Sequence, residues 1–61
     1  MKGKWQTWNI SDAEGRALVV GEGTQKECEE HAARGNASAE KHDVPIRFEA
    51  LPESAKPEFW L

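Results

Sequence analysis

Apolar and polar positions recur along this chain with two different periods, and the switches between them mark out its elements. From Lys4 to Ile10, Trp5, Thr7 and Asn9 fall on one side of an extended segment, while Trp8 and Ile10 fall on the other. Trp, Thr and Ile all suit a pleated, half-buried surface, so this stretch predicts a strand. Arg16 to Val20 alternates again, with Ala17 and Val19 facing one way and Leu18 and Val20 the other. Between the two, Ser11-Asp12-Ala13-Glu14-Gly15 is a turn sequence, and Gly15 suits a left-handed backbone beside a bulge. The pair predicts an antiparallel hairpin.

The period then changes. Gly21-Glu22-Gly23 is poor strand material and predicts a break in the chain. Thr24 followed three residues later by Glu27 has capping-box spacing. The hydroxyl accepts from the Glu27 amide while the Glu27 carboxylate reaches back to the Thr24 amide. Behind this cap, Cys28, Ala32, Gly35 and Ala39 recur at helical spacing, and all are small, which lets a helix lie close on whatever it covers. The helix is expected from about Gln25 to an end between Ala33 and Lys41. Gly35-Asn36 has the composition of a C-terminal stop, but a stop there leaves a long structureless loop, which favours a helix running through and bent at Gly35. Val44 to Leu51 alternates once more, with Val44, Ile46, Phe48 and Ala50 inward, Arg47 and Glu49 outward, and Pro45 indicating an edge position.

These elements predict an α+β fold over residues 1–51: a three-stranded antiparallel sheet in β-β-α-β order, its first strand central, with one helix packed on one face. Residues 52–61 read as a tail with two prolines that ends in Phe59-Trp60-Leu61, the most hydrophobic triplet in the chain.

At 61 residues the chain is one domain near the lower limit for folding without staples. Its large apolar residues are few, so net stability is expected to be only a few kcal/mol, and weak homodimerisation would add buried surface. The single Cys28 excludes an internal disulfide. No apolar run approaches the roughly 20 residues that span a bilayer, and too little precedes residue 4 to form a signal peptide. A cytoplasmic setting without membrane contact is the expectation. The net charge of −3 disfavours nucleic acid and points to a protein partner with a basic surface.

Candidate chemistry is sparse. Glu22, Glu27, Glu29 and Glu30 gather about the predicted helix start. Dipole complementation and solubility account for most of them, yet four carboxylates in so short a run can also imitate phosphates to a basic partner. Trp5 and Trp8 point to opposite faces, so one helix cannot bury both. Either Phe59-Trp60-Leu61 folds back over the open face onto Trp5, or Trp5 and Trp60 form an exposed aromatic patch that docks on a partner. Cys28, His31 and His42 match no zinc-module spacing, and no metal or cofactor is expected. Glu27, Glu29 and Glu30 beside Cys28 oppose thiolate formation, and no acid–base or nucleophile–base pair is suggested, so the chain does not read as an enzyme. The alternative is a small nucleic-acid-binding domain that uses a sheet face with Trp5, Lys2, Lys4 and Arg47.

Trp8-Asn9-Ile10, Asp12-Ala13-Glu14-Gly15-Arg16, a second strand, and Gly23-Thr24 opening Glu27-Cys28-Glu29 form a pattern over about residues 4 to 51. It resembles small hairpin-helix-strand proteins of bacteriophages and mobile elements, several anti-CRISPR proteins among them. The resemblance is one of shape, size and acidity, and it carries over no functional residue. What it implies is a stoichiometric inhibitor, a small acidic protein occupying a nucleic-acid-binding surface on a larger complex.

Overall fold

The computed structural model describes residues 4–55. Three strands, β1 (Trp5–Ser11), β2 (Arg16–Gly23) and β3 (Arg47–Pro52), and one helix, α1 (Gln25–Lys41), follow in the order β1-β2-α1-β3. β1 is central and antiparallel to both neighbours, giving the sheet order β2-β1-β3. This is the α+β architecture the sequence pattern predicts. Lys2, Trp60 and the expected cover of Trp5 by Phe59-Trp60-Leu61 lie outside the described residues.

The hairpin closes where Ser11 pairs with Arg16, across a loop in which Gly15 takes φ 66°. The expected bulge lies elsewhere. Thr7 pairs with Gly21 and Trp8 with Val19, which leaves Val20 as the extra residue on β2. The expected break at Gly21-Glu22-Gly23 does not occur, because all three pair with β1 opposite Thr7, Gln6 and Trp5. Gly21 serves close approach rather than a turn: a Cβ there would sit 2.8 Å from His31 Nδ1 on the helix.

The capping box forms as its spacing predicts. The Glu27 amide donates to Thr24 Oγ1 at 3.1 Å, and the Thr24 amide donates to Glu27 Oε1 at 3.0 Å. The helix runs on past Gly35, whose missing side chain lets it settle against the Phe48 ring; a Cβ there would lie 2.6 Å from Phe48 Cδ1. Asn36, one residue on, reaches the edge of β3. Its Oδ1 accepts from the Phe48 amide at 2.7 Å and its Nδ2 donates to the Phe48 carbonyl at 3.0 Å. The side-chain amide thus stands where a fourth strand's peptide group would.

The helix ends in a Schellman arrangement with His42 as cap. Asp43 takes the left-handed position at φ 56°, its amide donating to Glu40 at 3.2 Å, and the Val44 amide donates to Ala39 at 2.9 Å. The Ile46 amide then donates to Val44 at 2.8 Å, a γ-turn about Pro45. Val44 spends its amide on the helix end, so the third strand begins at Arg47 and not at Val44 as the alternation suggests.

The two faces of β1 are assigned by its neighbours. Thr7 Oγ1 donates to the Cys28 carbonyl at 3.3 Å, which places Thr7 under α1. Phe48, paired with Asn9, meets the helix at Gly35. Alternation then turns Trp5, Thr7 and Asn9 toward the helix, and Gln6, Trp8 and Ile10 toward the reverse face. Trp5, expected on the open face, is on the covered one. The helix brings small buried residues, Cys28, Ala32 and Ala39, to this contact and leans mostly on β3.

Candidate functional site

The structure does not gather the four carboxylates expected to act together. Glu22 pairs with Gln6 on the reverse face of the sheet, accepting from Gln6 Nε2 at 3.4 Å. Glu27 is committed to the cap. Glu29 accepts from Gln25 Nε2 at 3.1 Å on another flank of the helix; at about 100° per residue, Glu27 and Glu29 stand roughly 200° apart around the axis. Glu30 is exposed on the outer surface, with Lys26 and Arg34 as exposed neighbours on the same helix. These acids form no single phosphate-like row.

The residues of the nucleic-acid alternative do not converge either. Lys4 is exposed and Trp5 half-buried on the helix side. Arg47, opposite Ile10 in the ladder, belongs to the reverse face. It is also engaged: its Nε donates to Asp12 Oδ2 at 2.9 Å, its Nη2 to Asp12 Oδ1 at 3.3 Å, and it pairs with Glu49. The Arg47 hydrogen bond holds the Asp12 carboxyl below its ordinary value.

Other candidates have local roles. Cys28 is buried and unbridged, and its backbone carbonyl accepts from Thr7 Oγ1. His31 lies against Gly21, and His42 caps the helix. Among the described residues no three His, Cys, Asp or Glu side chains are placed to share a metal ion. None of the helices among those residues is long and apolar enough to cross a membrane.

What the structure exposes instead is aliphatic. On the outer strand β2, Leu18, Val19 and Val20 are 58%, 42% and 44% accessible. Leu18 and Val19 still alternate, opposite Asn9 and Trp8, and Val20 is the bulged residue; all three remain in water. Beside Leu18 opens a groove of about 260 Å³ lined by Asn9, Ser11, Glu14, Arg16, Leu18, Val44, Pro45 and Ile46. Its far wall is built by the helix-end turn, which leaves Val44 43% accessible. Sequence reasoning passed over this surface. The available signal was three consecutive apolar residues in a strand predicted to alternate.

No family model, no curated protein and no solved structure matches this chain. The functional reading therefore rests on its own surface.

Proposed function

We propose that this protein is a non-enzymatic protein-binding module that docks through the outer edge of β2 and the adjoining groove. The observation that carries this reading is the exposed run Leu18-Val19-Val20 on an edge strand, continued across the groove by Val44. Among the described residues this edge has no neighbouring strand, so it offers open backbone groups and an apolar contact together, the combination used when an extended segment adds to a sheet. The net charge of −3 favours a basic partner, with Glu29 and Glu30 contributing to steering and not to a phosphate-like cluster. The finer form of the proposal is a phage-type inhibitor, similar in kind to anti-CRISPR proteins, that occupies a nucleic-acid-binding site on a larger complex.

The test compares the immobilised protein with its Leu18→Glu, Val20→Lys variant as baits in bacterial lysate at low salt. A partner retained by the first and lost at least tenfold by the second, with unchanged circular dichroism, is the expected result. Equal retention by a folded variant removes the docking surface. Added protein should then displace oligonucleotide from the purified partner; no displacement at saturation removes the inhibitor form and leaves the binding module standing.

A further inference from the structure

The two faces of β2 are patterned so that the strand can pair with a copy of itself. Arg16, Leu18, Gly21 and Gly23 lie opposite Ser11, Asn9, Thr7 and Trp5, on the helix side. Ala17, Val19 and Glu22 lie opposite Ile10, Trp8 and Gln6, on the reverse side. An ordinary strand of eight residues ends on opposite faces. Laid antiparallel on a copy over its full length, it would set every residue against one of the other face. The bulge at Val20 falls at the middle of Arg16–Gly23 and inverts the alternation in the second half. Full-length pairing then sets Arg16 against Gly23, Ala17 against Glu22 and Leu18 against Gly21, each pair on one face. Val19 meets Val20 at the two-fold axis. The backbone agrees. Phe48, on the helix side of β3, turns its amide and carbonyl away from β1 to Asn36. β2 runs parallel to β3, so its helix-side residues point the same way, which for β2 is toward β1. The peptide groups of Ala17, Val19 and Glu22 therefore point outward, where among the described residues no strand adjoins.

We propose that a second copy of this chain occupies the β2 edge in this register, joining the two three-stranded sheets into one of six strands. The inference rests on the reading of β2 as a docking edge and names an occupant for it. Charge complementarity favours the copy. A Cβ on Gly23 would lie 2.5 Å from Glu27 Oε1, so the Glu27 carboxylate overhangs the position that the copy's Arg16 faces. Arg16 is otherwise bridged to Glu14 at 3.1 Å, with the two side chains 66% and 61% accessible, and an exposed pair of this kind yields readily. The two-fold axis makes the Arg16–Glu27 pairing twice, and no like charges stand opposite one another in the ladder. Between these ends, Leu18 faces the copy's Gly21 and the His31 ring that overhangs it. Val19 and Val20 of both copies meet in one contact. These are the aliphatic side chains that a single chain leaves in water. The helix leans mostly on β3, which leaves the flank of β2 clear for the approach. One strand edge is a small interface, so the dimer is weak and forms at high concentration.

Sedimentation equilibrium on the full chain, from about 10 μM to about 1 mM, should show monomer passing to dimer and nothing larger. A monomer throughout, or a mass that keeps rising, overturns the proposal. Arg16→Glu should weaken the dimer by about fivefold or more, while Arg34→Glu, exposed on the helix, should change it by less than about twofold. Equal effects of the two overturn it. In an isotope-filtered NOESY spectrum of mixed labelled and unlabelled copies, the Leu18 methyls should show cross-peaks to the His31 ring protons of the other copy. Between-copy peaks confined to residues outside β2 also overturn it. A dimer with these marks and no lysate partner supports this inference while removing the wider docking reading. A lysate partner lost with Leu18→Glu, Val20→Lys, beside a protein that stays monomeric, does the reverse.

Discussion

Gly35→Ala is the substitution on which helix propensity and packing disagree most sharply. Alanine is favoured over glycine inside a helix by about 1 kcal/mol. Here the added methyl would sit 2.6, 2.8 and 2.8 Å from Cδ1, Cε1 and Cγ of Phe48. Comfortable carbon–carbon separations are about 3.5–4.0 Å, so ring and helix must part by about 1 Å. The ring has little freedom to yield, because the Phe48 backbone is clamped by Asn36 through bonds of 2.7 and 3.0 Å. Overpacking of this kind costs about 1–3 kcal/mol. Taking about 2 and subtracting the propensity gain leaves a net loss of about 1 kcal/mol, or about 4–8 °C in Tm for a domain of this size. Thermal and urea unfolding followed by circular dichroism measure it. Ala37→Gly, at an exposed position of the same helix, calibrates the propensity term and should cost about 1 kcal/mol. A rise in Tm for Gly35→Ala would falsify the close contact between α1 and β3.

Asn36→Ala removes two hydrogen bonds worth about 0.5–1.5 kcal/mol each and gains a few tenths in propensity; a net loss of about 1 kcal/mol is expected in urea, and no loss would mean the Phe48 clamp is not made in solution. Asp43→Gly relieves a left-handed residue whose conformation costs about 1–2 kcal/mol for side chains generally and less for Asp. After glycine's entropy cost, the variant should be more stable by about 0.5 kcal/mol, and a less stable one would speak against the Schellman end. Asp12 has a depressed pKa in the folded state, so its pairing with Arg47 stabilises the fold above the ordinary value of 3.8 and loses that effect as pH falls through the lower folded value. The urea midpoint of the wild type should therefore exceed that of Asp12→Asn at pH 6, converge with it toward pH 2, and show a smaller gap at high salt. A gap constant with pH would show that the pair is not formed.

Much of the architecture was legible because local signals agreed. The Thr24–Glu27 spacing located the helix start, and the alternation on either side of the Ser11–Gly15 turn located the hairpin. The choice of covered face was not legible, since β1 carries a tryptophan on each side. It is decided by Thr7, whose hydroxyl finds the Cys28 carbonyl, a contact between residues 21 positions apart. The start of the third strand was hidden for a different reason. Val44, Ile46 and Phe48 continue a strand-like alternation, while the helix stop uses Asp43 in place of the glycine that would announce it. The acidic set looked compact because its members are close in sequence. Folding sends Glu22 to one side of a sheet, commits Glu27 to the helix cap and turns Glu29 away from it around the axis. The aliphatic edge was missed because the exposure of Leu18, Val19 and Val20 depends on how far α1 extends over β2, and α1 leans mostly on β3, which the strand's own sequence does not encode.

The amide of Asn36 has one more implication, for stoichiometry. A ribbon with two open sides can add copies without end, and that is how fibres grow. In this molecule an incoming strand on the β3 side meets a peptide-like group already seated at Phe48. Among the described residues the β2 edge is then the border left for growth, and a second molecule joined there edge to edge uses it up on both. Any assembly built this way stops at a pair.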